Sequence, residues 1–280
     1  MTNSDALTLV LGGTGKTGSR IAHILREAGM PVRTAARSRA DVFFDWTDPS
    51  TYRSALSGVQ RLYLVPPEQP ADFAPIVAGF IDEAQQAGVE HITFLSAGGI
   101  QYAPEQVALR AVELHLMAAE SLTFSILRPS FFMQNFTEGS FSHALTTGQL
   151  ALPAGEGKEA FIDAYDIASV AAATLFDPTN YAGGQYNITG PEALTHRDIA
   201  EHLSAYGHLV EYQPAAATEW IQEVTSHGMP AQYAGFLAHL MTEIAEGKGA
   251  QPTGEVARIL GRPATPFAVV VERETTPRGK

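Results

Sequence analysis

The sequence predicts an α/β protein: a Rossmann-type doubly wound parallel sheet with a smaller, mostly helical C-terminal lobe. Three observations support this fold class. Short continuous apolar runs alternate with helix-length amphipathic runs, a glycine-rich turn follows the first apolar run, and the rhythm changes after Pro129. Continuous apolar runs are typical of parallel strands buried on both faces. Their regular alternation with helices indicates right-handed crossovers.

The first half of the chain is predicted to hold six strands and four helices. The strands are expected at 7–11, 32–36, 42–44, 61–65, 91–95 and 123–127. The helices are expected at 19–28, 49–56, 75–87 and 104–119. Gly29, Gly58 and Gly88 follow three of these helices, because glycine readily adopts the left-handed conformation that ends a helix.

The second half is predicted to be mainly helical. Helices are expected at 131–147, 164–175, 195–206, 218–227, 230–246 and 266–273, and a strand at 185–188. Thr195 and Asp198 have the spacing of a helix capping box. No internal repeat and no low-complexity segment interrupts this part of the sequence.

Composition narrows the function classes. The 280 residues carry a net charge of −12, which opposes binding to nucleic acid or anionic membranes. The absence of cysteine excludes disulfides, thiolate metal sites and cysteine nucleophiles. Because the N-terminus resembles no signal peptide and no run spans a bilayer, we expect a cytoplasmic protein. The histidine spacing predicts no metal site, and His196, His202 and His208 are expected at the surface or in helix caps.

The glycine-rich turn predicts a dinucleotide site. Glycines at 12, 15 and 18 allow a tight turn, close approach of a pyrophosphate and close packing of helix on strand. The following helix N-terminus attracts the anion. The expected contacts are Gly12, Thr14, Gly15, Lys16, Thr17 and Gly18. A P-loop is excluded, because its first glycine would stand at Val10.

Arg37, at the end of the second strand, predicts NADP(H) rather than NAD(H). An NAD site places a carboxylate there, whereas a guanidinium matches a 2′-phosphate. The alternative is a solvated loop arginine. Asp45, after the third strand, is expected either to bind the adenine amino group or to cap the helix at Pro49. The predicted cofactor site also includes Val65, Pro66, Ser96 and Ala97, which follow strands four and five.

Several segments together resemble the NmrA-like family of atypical short-chain dehydrogenases/reductases. They are GGTGKTG at 12–18, Arg37, Phe44-Asp45-Trp46, Ser96-Ala97, LRPSFFMQNF at 127–136, Asp166-Ile167-Ala168 and YNITGP at 186–191. The resemblance covers most of the chain and weakens beyond about residue 210. Its pattern is most similar to fungal ergot-alkaloid reductases of the festuclavine synthase and agroclavine dehydrogenase type. The family also includes quinone reductases and redox-sensing regulators, so it implies fold and cofactor more strongly than reaction.

The sequence departs from the short-chain dehydrogenase pattern in one respect, and this difference limits the class of reaction. Ordinary short-chain dehydrogenases carry Tyr-x-x-x-Lys on the helix after strand five, but 104–113 lacks this pattern, and Leu109 replaces a lysine common in the family. Ketone reduction needs a proton donor, whereas an iminium needs only hydride and a quinone can take its proton from water. We therefore predict an NADPH-dependent reductase of an iminium, imine or quinone, with no catalytic side chain assigned. The alternative is a non-catalytic NAD(P)-sensing regulator that binds a protein partner.

The substrate contacts are predicted from the residues around strand six. Phe131, Phe132 and Asn135 follow this strand, and Tyr102 and Tyr165 are candidate polar contacts. The alternative for the phenylalanines is packing in the core. We expect an NADP-binding domain at 1–130 and a smaller lobe at 131–280. This lobe is expected to cover the substrate and to interleave partly with the sheet. The expected partner is a small-molecule substrate.

Overall fold

The computed structural model describes residues 5–67, 71–207, 209–249 and 251–275, with only the backbone at 275. The strands are β1 (Thr8–Leu11), β2 (Val32–Ala36), β3 (Val42–Phe43), β4 (Arg61–Leu64), β5 (His91–Leu95), β6 (Thr123–Pro129), β7 (Gln149–Leu152), β8 (Lys158–Glu159), β9 (Gly184–Ile188), β10 (Leu194–Thr195) and β11 (Glu211–Pro214). The helices are α1 (Gly18–Glu27), α2 (Tyr52–Leu56), α3 (Ala74–Gln86), α4 (Ala108–Met117), α5 (Ala144–Thr147), α6 (Ala164–Phe176), α7 (Pro178–Tyr181), α8 (His196–Ala205), α9 (Ala217–Ser226), α10 (Ala231–Ala245), α11 (Glu255–Leu260) and α12 (Phe267–Thr275).

Seven strands form one parallel sheet in the order β3-β2-β1-β4-β5-β6-β9. Leu9 on β1 lies opposite Arg33 on β2 and Leu62 on β4, so the strand order reverses between β1 and β4. Ligands in open α/β sheets bind at such a switch point, outside the carboxyl ends of the strands. The predicted doubly wound Rossmann-type sheet is confirmed.

The chain divides into two compact units. The first unit comprises Met1–Pro129, Ala164–Ile188 and Glu255–Arg262, and it contains the whole seven-stranded sheet. Its core consists of apolar residues from the strands and flanking helices, among them the fully buried Leu9, Leu62 and Phe94. Burying such side chains stabilises the fold by about 2 kcal/mol each.

The second unit comprises Ser130–Asp163, Thr189–Gly254 and Pro263–Lys280. Its core is rich in aromatic rings: Phe136 meets Phe161 and Phe267 edge-on, with ring centroids 5.4 and 5.9 Å apart. Such contacts add to the effect of area burial. Two small ladders complete the unit, the parallel pair β7–β11 and the antiparallel pair β8–β10.

The structure corrects the predicted helix at 131–147. Residues 133–135 form a single 3₁₀ turn, and an α-helix is present only at Ala144–Thr147. The reason is a non-local pairing: Met133 N–H donates to Ile162 O and Ile162 N–H to Phe131 O, each at 2.9 Å. These bonds hold 131–133 in extended backbone, which competes with helix.

Helix α4 also begins later than the prediction at 104–119. Gly99 has φ +80°, a 3₁₀ turn covers Ile100–Tyr102, and Val107 is extended, so the helix starts at Ala108. The capping box of Thr195 and Asp198 is confirmed at the start of α8. Within the described ranges, no helix is both long and apolar enough to cross a membrane.

The expectation for His196 is wrong. His196 is the first residue of α8 but is fully buried, and its ring lies among those of Phe136, Phe161 and Tyr212. His202 is half-buried against Phe267, and His208 lies outside the described residues. The position of a polar residue next to a cap therefore does not predict its exposure.

Candidate functional site

The turn between β1 and α1 has no room for side chains at three of its glycines, Gly12, Gly13 and Gly18. Gly12 adopts φ +62°, and a Cβ there would lie 2.9 Å from Cγ1 of Val65. A Cβ on Gly18 would collide with the carbonyl oxygen of Gly12. Gly15 is exposed, and its N–H donates to Gly12 O at 2.8 Å, which tightens the turn. The glycines therefore allow a compact turn whose outer backbone is open to a ligand.

The N-terminus of α1 is suited to an anion. Thr17 is the N-cap and is buried, but its side chain makes no capping bond; instead its hydroxyl accepts from the Tyr63 hydroxyl at 2.9 Å. Among the described residues, no acceptor is bonded to the N–H groups of Thr14 or Thr17. Lys16 is half-buried and Thr14 exposed. Free N–H groups at a helix N-terminus are the donors that a pyrophosphate requires.

Arg37 is exposed after β2, and the loop that carries it is closed by Asp41. The Asp41 carboxylate accepts from Thr34 N–H at 2.8 Å, Thr34 hydroxyl at 2.7 Å and Arg26 at 2.6 Å. These bonds hold the pKa of Asp41 below its ordinary value, chiefly through Thr34. Arg39, inside the loop, has φ +54°. Asp41 was not predicted, since a single carboxylate in a polar loop gives no distinctive pattern.

Asp45 forms a local turn. Its carboxylate accepts from the N–H and hydroxyl of Thr47 at 2.9 and 2.8 Å, which lowers its pKa, and the charge of Arg37 contributes to the same shift. The alternative that Asp45 caps the helix at Pro49 is wrong, because Asp48 is that N-cap. The adenine contact of Asp45 remains a prediction.

The residues that follow β4 and β5 lie, like the glycine turn after β1, at the carboxyl ends of the parallel strands. Val65, Pro66 and Ala97 are half-buried, whereas Ser96 is buried. The Ser96 hydroxyl donates to Oε1 of Glu113 on α4 at 2.7 Å. The hydroxyl proton of Ser96 is therefore already hydrogen-bonded to a carboxylate of the same unit.

Glu113 is the centre of a buried ionic cluster. Arg128 Nε and Nη2 donate to its two oxygens at 2.7 and 2.8 Å, and Arg110 Nη1 donates at 2.9 Å. Burial opposes ionisation, but the bonds from Arg128 and Ser96 hold the pKa of Glu113 below its ordinary value. The cluster was not predicted. The Arg110–Glu113 spacing of i, i+3 is equally typical of an exposed pair on a helix.

The predicted substrate residues lie in both units. In the first unit, Tyr102 is 86% exposed and the half-buried Tyr165 lies under the Arg20 guanidinium at 4.7 Å. In the second unit, Phe131, Phe132 and Asn135 are half-buried. Phe131 stacks on Phe141 with ring centroids 6.1 Å apart, so it packs against that unit's core.

A second buried carboxylate, that of Asp163, is hydrogen-bonded to the segment that carries these phenylalanines. Asp163 receives two bonds from Arg273 on α12, both at 2.9 Å, and one from Gln134 at 2.8 Å. Glu274 accepts from Gln134 and Thr137. The C-terminal helix α12 is therefore bonded to residues 134–137. Among the described residues, no group of three His, Asp or Glu side chains is arranged to hold a metal.

The parallel sheet, its switch point and the glycine turn define a protein of the Rossmann class. The model of the NmrA-like family matches residues 4–260, and the chain belongs to this family.

Relatives with known names are similar over nearly the whole chain. An uncharacterised oxidoreductase, YesF, of Bacillus subtilis is 36% identical, covering 91% of this chain and 90% of its own. NAD(P)H azoreductase of Xenophilus azovorans is 34% identical, covering 94% and 96%. Agroclavine dehydrogenase of Claviceps fusiformis is 32% identical, covering 93% and 94%. These names place the chain among the oxidoreductases of the family.

Solved structures share the fold at lower identity. Triphenylmethane reductase of Citrobacter sp., complexed with NADP(H), has a TM-score of 0.76 at 19% identity, covering 96% of this chain and 99% of its own. The quinone oxidoreductase QOR2 of Escherichia coli, complexed with NADPH, has a TM-score of 0.76 at 23% identity, covering 95% and 99%. NmrA, a negative transcriptional regulator, in complex with NADP, has a TM-score of 0.74 at 14% identity, covering 99% of both chains.

Proposed function

We propose that this protein is an NADPH-dependent reductase that transfers hydride to a conjugated small-molecule electrophile. The observation that carries the proposal is the open N-terminus of α1, where the N–H groups of Thr14 and Thr17 are bonded to no described acceptor beside a turn too tight for side chains. The names of the azoreductase and the quinone oxidoreductase, which state NAD(P)H and NADPH, support the same cofactor.

The residues of the first unit fit a dinucleotide. The backbone at 12–18 would bind the pyrophosphate, Arg37 the 2′-phosphate and Asp45 the adenine amino group. The bonds from Thr47 are the main cause of the lowered pKa of Asp45, and the charge of Arg37 lowers it further. A bound NADPH supplies the hydride, so the protein's contribution is binding, orientation and electrostatics.

The choice of substrate follows from the shortage of proton donors. Residues 104–113 carry no Tyr-x-x-x-Lys pattern, Leu109 stands where many relatives have a lysine, and the Ser96 hydroxyl already donates to Glu113. An acceptor that needs hydride alone, or that takes its proton from water, suits this arrangement better than a ketone. We propose Tyr102, Phe131, Phe132, Asn135 and Tyr165 as the substrate contacts.

The test is a titration of cofactor-free protein with NADPH, NADP⁺, NADH and NAD⁺. We expect tighter binding of both phosphorylated forms. Because a charge-assisted bond contributes about 1.5–3 kcal/mol, Arg37→Asp should lower the NADPH/NADH affinity ratio roughly 10- to 100-fold. The matched control is Arg53→Asp on the exposed side of α2, which should leave the ratio unchanged.

The same titration separates the reductase from the alternative of a sensing regulator. A preference for one redox state, whichever ribose it carries, would favour the regulator. Absence of binding by all four nucleotides would refute a dinucleotide site. An unchanged NADPH/NADH ratio in Arg37→Asp would refute the role of Arg37 alone.

A further inference from the structure

We propose that Arg110 determines which charge of substrate the site accepts: it favours neutral acceptors that become anions and disfavours cations. This inference rests on the proposed reductase function and adds a role for a residue outside the predicted site. The shared chemistry of the favoured substrates is a neutral conjugated C=O or N=N group. An iminium is the disfavoured class.

The cluster around Glu113 carries an excess positive charge. Two guanidinium groups, Arg128 and Arg110, face the single carboxylate. The side chains of Glu113, Arg128 and Arg110 are 0%, 4% and 19% exposed, so water screens this charge only partly. Arg128 satisfies both carboxylate oxygens with bidentate geometry, which leaves the charge of Arg110 in excess.

The position of Arg110 follows from the chain path. Strands β5 and β6 are parallel, so the crossover helix α4 runs back antiparallel to them, and its first turn lies at the carboxyl edge of the sheet. The Ser96–Glu113 bond joins α4 to the residue directly after β5. Arg110 is one turn nearer the N-terminus of α4 than Glu113, so it lies farther toward that edge.

Arg110 also retains unused donors. Its Nη1 bonds to Glu113, while Nε and Nη2 are bonded to none of the residues that the structure describes. The N-terminus of α4 adds a partial positive charge of the same sign. Both act on the edge where the proposed site binds the reacting group.

The effect on reduction depends on the change in substrate charge. When a quinone or azo group accepts hydride, a new C–H or N–H bond forms, the π pair moves to oxygen or nitrogen, and an anion results. Water then supplies the proton. A positive side chain nearby stabilises this anion as it forms. An iminium enters as a cation and leaves neutral, so the same charge opposes its binding.

The first experiment compares Arg110→Gln with wild type, using 1,4-naphthoquinone and a 3,4-dihydroisoquinolinium salt as acceptors for NADPH. We expect kcat for the quinone to fall about 10-fold, with little change in KM, because the lost interaction is strongest in the transition state. The KM for the cation should fall. Arg110→Lys should restore part of the quinone rate, since it keeps the charge.

Controls separate charge from folding. Arg258→Gln removes an arginine from another i, i+3 pair with glutamate in the same unit. It should leave kcat and KM unchanged for both substrates. Glu113 keeps Arg128 and Ser96 in Arg110→Gln, so that variant should melt within a few degrees of wild type. Equal changes in Arg258→Gln and Arg110→Gln would overturn the proposal.

The second experiment needs no turnover. The absorbance of 4-nitrophenol reports its ionisation, and its pKa should be lower when bound to the NADP⁺-loaded wild type than when free. In Arg110→Gln the pKa of the bound phenol should return toward the free value. A phenol that binds without a shift, or does not bind, contradicts the proposal. If Arg110→Gln changes neither the NADPH affinity nor the ratio of kcat/KM for the quinone to that for the cation, only the role of Arg110 is overturned. If wild type does not bind NADPH, the reductase function itself is overturned.

Discussion

Glu113 in the first unit and His196 in the second are both fully buried ionisable side chains, but their surroundings differ. Glu113 receives bonds from Ser96, Arg128 and Arg110 and keeps its charge. Neither ring nitrogen of His196 has a partner among the described residues, and burial lowers its pKa to about 4. The first unit therefore retains a buried charge at the edge of the proposed site, whereas the aromatic core of the second holds a neutral ring.

Burial alone does not decide the charge state of a side chain. Desolvation opposes the charged form in both cases. Only where several donors converge on the carboxylate does the charged form remain favourable. The two residues should consequently respond in opposite ways when they are replaced by uncharged ones.

The largest effect is expected for Glu113→Ala. This variant leaves two guanidinium groups without their carboxylate, one of them almost completely buried, and should lower the free energy of unfolding by about 3–5 kcal/mol. Urea denaturation monitored by circular dichroism measures it. Glu255→Ala, which breaks the more exposed pair with Arg258, should cost less than about 1 kcal/mol. Equal losses of unfolding free energy in the two variants would show that the buried cluster stabilises the protein no more than the exposed pair does.

The next effect is acid destabilisation. His196 and His91 both have pKa values lowered to about 4 by burial. An unfolded histidine titrates near 6.5, so the unfolded state binds these protons first. Stability is therefore full above about pH 6.5 and falls as pH decreases toward 4, by up to about 1.4 kcal/mol per pH unit for each histidine. Urea midpoints between pH 7 and 4.5 test this, and a flat profile would contradict it.

The smallest effect is expected for His196→Phe. The variant removes two unpaired buried nitrogens and keeps an aromatic ring among Phe136, Phe161 and Tyr212. It should stabilise the protein by about 1 kcal/mol at pH 7 and reduce the acid dependence to that of His91. His23→Ala, at an exposed position on α1, is the control and should change neither. A destabilised His196→Phe would indicate that the ring nitrogens are solvated.

The sheet could be predicted from the sequence because the residues that begin and end each strand are adjacent to it in the chain. Strands β2 and β5 have the predicted bounds, since Gly29 and Pro31 precede β2 and Gly88 precedes β5. The glycine turn could be predicted for the same reason: the backbone conformation at Gly12 restricts the choice of residue there.

What could not be predicted depends on distant partners. The segment 131–133 is extended because it pairs with Ile162, and β7 and β11 pair across some 60 residues of sequence. The role of Glu113 depends on Arg128 and Arg110, and that of Asp41 depends on Thr34 and Arg26. No local pattern separates a charge that is buried and paired from one in solvent.

The division of the first unit into three stretches of chain has a consequence for synthesis on the ribosome. Its last strand, β9, is separated from β6 by residues that belong to the second unit, and its last helix, α11, lies beyond a further stretch of that unit. During translation, six strands of the sheet emerge with an open edge at β6, which is a template for unwanted pairing. The nascent sheet can close that edge only after the first stretch of the other unit, residues 130–163, and helix α6 have been made.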